Sequence, residues 1–118
     1  MKQVYKNQVM TIASKYKWSN FDVFSPKCGY GWLKLLENAF AEIENNLGKH
    51  QVHNICFNVL DIRKDNDHNL KIYTANSTDK IDEIIRKAVT KTRSTCECCG
   101  KTVEYTNGLV LCDECKSI

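Results

Sequence analysis

The 118-residue sequence is poor in proline and glycine and has no long apolar segment. It contains one Pro and five Gly, and we find neither an internal repeat nor a low-complexity linker. No apolar run approaches the roughly 20 residues that cross a bilayer. Residues 1–14 lack the uninterrupted apolar core and the cleavage site of a secretory signal. We therefore expect a soluble, cytoplasmic protein with one compact domain and a small appendage.

The common catalytic motifs are also missing. The chain has no H-E-x-x-H helix and no G-x-S-x-G turn, and the G-Y-G of residues 29–31 is too short for a phosphate loop. No histidine follows His68, which excludes an HNH-type nuclease site beside the C-terminal cysteines. We predict a protein without enzymatic activity and without a small-molecule substrate. We interpret three histidines as surface residues: His50, His53 and His68. The three clustered aspartates are interpreted as turn residues, and a carboxylate site is their less favoured alternative: Asp61, Asp65 and Asp67.

The net charge is small. Seventeen basic and 14 acidic residues give a formal charge of +3. Four cysteine thiolates on a divalent metal ion would lower this to about +1, since the ligands add four negative charges and the ion two positive ones. This balance is weaker than nucleic-acid binding through backbone phosphates usually requires, although it leaves room for local basic patches.

The hydrophobic pattern predicts an α+β body over residues 1–94. Three segments have apolar residues at helical spacing: 4–18, 32–48 and 77–93. Gly48 is expected to end the second helix, and Thr78 or Asp79 to cap the third. Two segments alternate as strands around a polar turn and predict a β-hairpin: 53–64 and 70–76. The intervening residues 19–31 are interpreted as an ordered loop anchored by Phe21, Val23 and Phe24.

Cysteine is the residue that this sequence has in excess. It holds seven cysteines, an odd number, and five of them lie in the last 23 residues. In a reducing compartment, paired C-x-x-C units more often bind metal than form disulfides. Two pairs with the spacing C-x2-C-x12-C-x2-C are therefore the predicted ligands of one Zn²⁺ ion: Cys96, Cys99, Cys112 and Cys115.

The residues between the two pairs support a zinc-ribbon module over residues 95–118. Residues 102–105 and 109–111 are short strand candidates, and Asn107-Gly108 between them is typical of a type I′ turn. Four thiolates close the metal shell and leave no position for an activated water, so we expect a structural metal rather than a catalytic one. Four buried free thiols or two disulfides are the alternatives.

Three cysteines remain outside the predicted site. Cys98 stands between the ligands, and its position does not fit the symmetric two-residue spacing. We interpret it as an unbound neighbour, with an exchange against Cys99 or a role as an exposed thiol as the alternatives. Cys28 and Cys56 are interpreted as small core residues. A second metal site formed by Cys28 with His50 or His53 is the less favoured alternative.

Three stretches of the chain resemble a family of small phage and prophage proteins. They are CGYGWLKLLENAFAEIE, LKIYTANSTDKIDEIIRKAVTKTRSTCECCGK and LCDEC, and the resemblance covers about residues 28–116. The family has a C-G-x-G-W box that opens a helix and a terminal C-E-x-C-G … L-C-D-x-[CH] module. Its first ligand pair falls on Cys96 and Cys99, and many members have His where this chain has Cys115. Residues 61–69 depart from the family's compact strand. The resemblance implies a viral origin and a zinc fold rather than an activity.

Two functions are compatible with these features. The first is a protein-binding module that docks on a host or antiviral defence complex of the bacterium and blocks it, as anti-CRISPR-type inhibitors do. The alternative is a zinc-ribbon regulator that binds nucleic acid. The candidate contacts, for nucleic acid or for a protein partner, lie on the outer face of the last helix and near it: Lys80, Lys87, Lys91, Arg93 and Lys101. The interleaved acids Asp82 and Glu83 weaken this patch.

Overall fold

The computed structural model describes residues 2–50, 57–104 and 108–116. In these ranges the chain forms an α+β fold with four α-helices, one 3-10 turn and a two-stranded antiparallel sheet. The elements follow in the order α1 (Lys2–Lys15), the 3-10 turn (Lys17–Ser19), α2 (Tyr30–His50), β1 (Asn58–Lys64), β2 (Leu70–Ala75), α3 (Asp79–Thr92) and α4 (Asp113–Lys116). The predicted fold class is confirmed.

Helix α2 forms the centre of the core. It begins at Tyr30, two residues before the predicted start, and its apolar stripe is almost completely buried: Trp32, Leu36, Phe40 and Ile43. Helix α3 packs against α2 with the inner face that its 3.6-residue period predicts: Ile81, Ile84 and Ala88. The Thr78 hydroxyl caps α3 by accepting a 3.2 Å hydrogen bond from the Ile81 N–H.

An aromatic cluster joins the loop after α1 to this core. The Trp18 ring lies 4.9 Å from Phe40 and 5.1 Å from Phe57, in the tilted and edge-on geometries that aromatic pairs prefer. Phe21 is buried and Phe24 packs beside it, as expected for anchors of the loop. Val23 differs from the expectation, since it is 79% exposed and anchors nothing.

A β-bulge in β1 sets which side chains reach the core. Val59 pairs with Thr74 and Asp61 with Tyr73, so two residues of β1 are used for one step of β2, and Leu60 is the extra residue. The bulge shifts the two-residue alternation by one position. As a result Val59 and Ile62 both point inward, although their spacing would place them on opposite faces of a regular strand.

The C-terminal segment differs from the predicted ribbon. The described residues of the two strand candidates form no ladder, and the bridge that they do form joins Thr95 to Thr102. Residues 105–107, which include Asn107 of the predicted turn, lie outside the described ranges. Residues 53–56, at the start of the first predicted strand, lie outside them too. Directly after Cys112, the first residue of the second cysteine pair, the chain forms the short helix α4. Two compact turns, rather than a regular hairpin, thus build the described part of this module.

Candidate metal centre

Four cysteine sulfurs come together at the C-terminal end of the fold. The Sγ atoms of Cys96, Cys99, Cys112 and Cys115 all lie within 4.8 Å of one another. The Cys99 and Cys112 sulfurs are 3.7 Å apart, close to the roughly 3.8 Å edge of a tetrahedron with metal–sulfur bonds of about 2.3 Å. A disulfide needs about 2.05 Å, and the four thiols are free. The four residues can therefore hold one metal ion, as their spacing predicts.

Local backbone bonds shape the two turns that present these sulfurs. In the first turn, the Cys96 N–H donates to the Lys101 carbonyl (2.8 Å) and the Gly100 N–H donates to the Cys96 carbonyl (2.9 Å). Gly100 adopts φ = 87°, a left-handed conformation that a residue with a side chain enters only with strain. In the second turn, the Lys116 N–H donates to the Cys112 carbonyl (3.0 Å), which closes the short helix α4.

The pKa values of two of these thiols, Cys96 and Cys115, are shifted in opposite directions. Burial raises the pKa of the Cys96 thiol, but backbone N–H groups of Cys112, Cys99 and Cys98 bond to the sulfur and bring its pKa to about 6. The pKa of Cys115 is raised, first because its thiol bonds to that of Cys112 and then by burial. Neighbouring thiolates thus oppose one another's ionisation. A divalent cation would remove this repulsion and displace the protons, which fits a metal-binding group.

Cys98 lies outside the group of four, as its position in the sequence predicts. Its side chain is partly exposed, and the group of four sulfurs is formed without it. The alternative in which Cys98 replaces Cys99 is not the arrangement in this structure. The extra cysteine therefore sits beside the candidate metal site rather than in it.

The first turn rests directly on the backbone of two glycines at the start of α2. A Cβ on Gly31 would lie closer than 3.0 Å to the Cys96 carbonyl, the Glu97 carbonyl and the Gly100 nitrogen. A Cβ on Gly29 would meet the Glu97 carbonyl as closely. Real Cβ contacts do not come this near to backbone atoms, so only glycine permits the approach. The two glycines and the Trp that follows form the module seat: Gly29, Gly31 and Trp32.

Glu97, which lies between the ligand cysteines, satisfies the N-terminus of α2. Its backbone carbonyl accepts a 2.8 Å hydrogen bond from the Gly31 N–H, and its carboxylate accepts one of 2.9 Å from the Gly29 N–H. The first turn of α2 has no acidic residue of its own. Glu97 therefore supplies both the missing acceptors and the negative charge that a helix N-terminus favours.

Three further contacts attach the module to the body. The Glu97 carboxylate forms a 2.9 Å ion pair with Lys64 of β1. The indole N–H of Trp32 donates to the Thr95 carbonyl (2.8 Å). The Arg93 guanidinium donates to the His68 carbonyl of the hairpin turn (2.9 Å) and to the Gly108 carbonyl of the module (2.8 Å). The sequence offered one signal for this attachment, the C-G-x-G-W box, but its role as a seat depends on contacts that the sequence does not show.

The five predicted contact residues have different environments. Lys80 and Lys87 are exposed on α3, and both pair with Glu83, at 4.0 and 3.3 Å. Lys101 pairs with Glu114 at 3.3 Å, and Lys91 is exposed at the end of α3. Arg93 differs from the expectation. It is only 6% exposed, and its guanidinium donates to the His68 and Gly108 carbonyls. Arg93 therefore links the hairpin turn to the module inside the protein and is not a surface contact.

Two of the remaining candidate residues, Cys28 and Asp65, stabilise the fold. Cys28 is buried, and burial raises the pKa of its thiol to about 12, which keeps it protonated and unreactive. Asp65 organises the hairpin turn by accepting the Asp67 and Asn69 N–H groups, each at 2.9 Å. In the described ranges, no group of metal-binding side chains other than the four cysteines is found. Cys56, His53 and the side chain of His50 lie outside the described residues.

Comparisons with known proteins add no identity. No protein-family model, curated protein or solved structure matches this chain. None of the helices in the described ranges combines the length and the apolar character needed to cross a bilayer.

Proposed function

We propose that this chain is a non-enzymatic protein-binding module that one structural Zn²⁺ ion holds in shape. The observation that carries the proposal is the closed group of four cysteine sulfurs whose first turn is bonded to the body through Glu97. Four soft sulfur ligands in a tetrahedron suit Zn²⁺ best among the common divalent ions. With all four positions taken by protein, the ion would stabilise the fold and would not activate water.

The surface charges favour a protein partner over nucleic acid. The four candidate cations that remain exposed are Lys80, Lys87, Lys91 and Lys101, and two of them, Lys87 and Lys101, form 3.3 Å ion pairs with glutamates of their own chain. A phosphate backbone would have to displace those carboxylates or accept their repulsion. Protein partners tolerate such mixed surfaces, because their interfaces combine apolar contacts with a polar rim.

We further propose that the partner belongs to a host or antiviral defence complex that the chain inhibits in the bacterial cytoplasm. This part rests on the resemblance of residues 28–116 to small phage proteins. A small scaffold of this kind can act by steric blocking, which needs a rigid surface and no catalytic residues.

Metal content and chelation test the zinc part. We expect one Zn²⁺ per chain by elemental analysis and a lost cooperative thermal transition after treatment with a strong chelator. Cys98→Ser is the matched control for Cys99→Ser, because the two positions are adjacent and only Cys99 belongs to the group of four. Full zinc in Cys99→Ser together with zinc loss in Cys98→Ser would contradict the ligand assignment.

Binding assays test the choice of partner. We expect no binding of labelled single-stranded DNA, duplex DNA or RNA by fluorescence anisotropy, even at low salt. In nuclease-treated lysate of the host, the zinc-loaded chain should retain a defined protein in stoichiometric amount, and the purified pair should bind directly. Nucleic-acid binding that weakens steeply as salt rises would favour the alternative.

A further inference from the structure

The hairpin turns one face away from the core, and that face combines two large exposed side chains, Leu60 and Tyr73, with two cations. We call it the outer hairpin face and define it by four exposed residues: Leu60, Arg63, Lys71 and Tyr73. Leu60 is 56% exposed and Tyr73 is 42% exposed. Leu60 and Tyr73 lie on neighbouring strands, and neither side chain belongs to the hydrophobic core.

The β-bulge explains how Leu60 comes to this face. Leu60 and Asp61 together oppose Tyr73, and in a bulge of this kind the three side chains project to the same side of the sheet. In a regular strand Leu60 would lie on the face opposite to that of Asp61, whereas in the bulge the two residues share one face. Bulges are common beside functional surfaces, where they re-aim a side chain. Here the bulge adds a leucine to the side that carries Tyr73.

Two cations lie directly opposite each other on the same face. Arg63 pairs with Lys71 across the strands, an arrangement of like charges that destabilises a sheet. The Arg63 guanidinium lies 4.9 Å from the centre of the Tyr73 ring, so its planar group is held against the aromatic face. The arginine is thereby positioned for a planar anion such as a carboxylate.

The chain's own acids neutralise these cations only loosely. Arg63 is 3.8 Å from Asp61 and Lys71 is 3.9 Å from Asp65, whereas the partly buried Lys64–Glu97 pair measures 2.9 Å. The Asp65 carboxylate is also engaged by two N–H groups of the turn. Much of the hydrogen-bonding capacity of Arg63 and Lys71 is therefore available to a ligand, and a carboxylate between them would relieve their repulsion.

We propose that the outer hairpin face binds an acidic segment of the protein partner, with a carboxylate between Arg63 and Lys71 and an apolar side chain against Leu60 and Tyr73. This inference rests on the proposed protein-binding function and names its surface and the chemistry of its partner. Tyr and Arg are the residue types that dominate binding energy at protein interfaces, and here they are in contact.

The size of the face agrees with a short segment rather than a second copy of this chain. Two strands of about six residues present roughly 20 Å by 10 Å, or about 200 Å². A stable interface between two proteins buries about 800 Å² on each partner. Dimerisation through this face alone therefore falls short by a factor of about four.

Two synthetic peptides test the proposal directly. Both have 12 residues and the same Leu and Tyr positions, and the intervening residues are Glu in one and Lys in the other. Each is titrated into the zinc-loaded, ¹⁵N-labelled full chain. We expect the Glu peptide, and not the Lys peptide, to shift amide signals of residues 60–63 and 71–73. Arg63→Glu with Lys71→Glu should weaken this binding at least about tenfold, which corresponds to about 1.4 kcal/mol.

Control variants separate a binding surface from general electrostatics. Lys80→Glu with Lys87→Glu makes the same charge change on the outer face of α3 and should leave binding of the Glu peptide within about twofold, because neither lysine belongs to the outer hairpin face. Tyr73→Ser and Leu60→Ser should weaken binding while keeping zinc content and circular dichroism unchanged, because both side chains are exposed.

Several results would overturn the proposal. These are no shifts with the Glu peptide, shifts centred elsewhere, equal shifts with the Lys peptide, or a duplex DNA that binds the same residues more tightly. If Arg63→Glu with Lys71→Glu leaves capture of the protein partner unchanged, this surface assignment fails while the proposed protein-binding function stands. If nucleic acid is the partner, the proposed function fails as well.

Discussion

Substitution of Gly31 by alanine tests whether the metal module and the body form one cooperative unit. Two effects of opposite sign compete at this position. Alanine is the better helix former, and the exchange would stabilise an unconstrained helix by up to about 1 kcal/mol. Against this, the new Cβ would lie closer than 3.0 Å to backbone atoms of Cys96, Glu97 and Gly100.

Packing should outweigh helix propensity by a clear margin. The obstructing atoms belong to the backbone of the first cysteine turn, so the whole turn must move away from α2. Overpacking of this kind costs about 1–3 kcal/mol. Displacing the turn also breaks the 2.8 Å hydrogen bond from the Gly31 N–H to the Glu97 carbonyl, which adds about 1 kcal/mol. With the full gain in helix propensity subtracted, the net expectation is a loss of about 1–3 kcal/mol.

Thermal unfolding of the zinc-loaded protein measures this loss. With an unfolding entropy of about 2.1 cal/mol/K per residue, the loss lowers Tm by roughly 4–12 °C for a chain of this length. Zinc affinity, measured by competition with a chromophoric chelator, should fall in the same variant, since the displaced turn carries two ligands. Trp32 fluorescence offers a further signal, because its indole bonds to the Thr95 carbonyl.

Gly108→Ala is the matched control. Gly108 has φ = 82° and nothing within 4 Å of an added Cβ, so its alanine variant meets backbone strain without a clash. We expect it to cost about 1–2 kcal/mol and to leave zinc affinity almost unchanged. A Gly31→Ala protein as stable as the unmodified chain would refute the conclusion that the seat requires glycine. A loss of stability with unchanged zinc affinity would refute the coupling between seat and metal site.

Further predictions concern the ligands, the buried acid and alkaline pH. Cys99→Ser should lose zinc, whereas Cys98→Ser should retain one ion per chain by elemental analysis. Glu97→Gln leaves the Lys64 ammonium without its carboxylate and should cost about 1–2 kcal/mol in urea unfolding, reduced by the partial exposure of that lysine. Burial raises the pKa of both Tyr5 and Cys28 to about 12, from ordinary values of 10.0 and 9.0. Because the folded pKa values are the higher ones, their contribution to stability is complete below about pH 9 and is lost as the pH rises towards 12. Urea titrations between pH 8 and 11 should show this decline, and Tyr5→Phe should make it shallower; an equal decline in that variant would contradict the assignment.

Secondary structure was predictable where one period extends over several turns. Helices α2 and α3 follow their apolar stripes, and the cap at Thr78 follows from residue type. The β-bulge at Leu60 was not predictable, because alternation alone places Val59 and Ile62 on opposite faces. The absence of strand ladders among the described residues of the module has a related reason. Short segments with strand propensity pair only where the surrounding contacts allow it.

The four candidate ligands are the feature that the sequence determined by itself. Each C-x-x-C turn is local, so the spacing alone directs two sulfurs to one point, and Cys98 falls outside the pattern for the same reason. Glycine and glutamate have no comparable local signature for their roles here. Gly31 and Glu97 lie 66 positions apart in the chain and meet only because α2 begins against the first cysteine turn.

The tertiary structure alone decided what the module is attached to and which charges remain at the surface. Arg93 looked like a surface cation in the sequence, yet the fold brings two carbonyl groups to its guanidinium and buries it. Lys80 and Lys87 stay exposed but share Glu83. Burial and ion pairing depend on distances between residues that are remote in the chain, and a one-dimensional pattern contains no such distances.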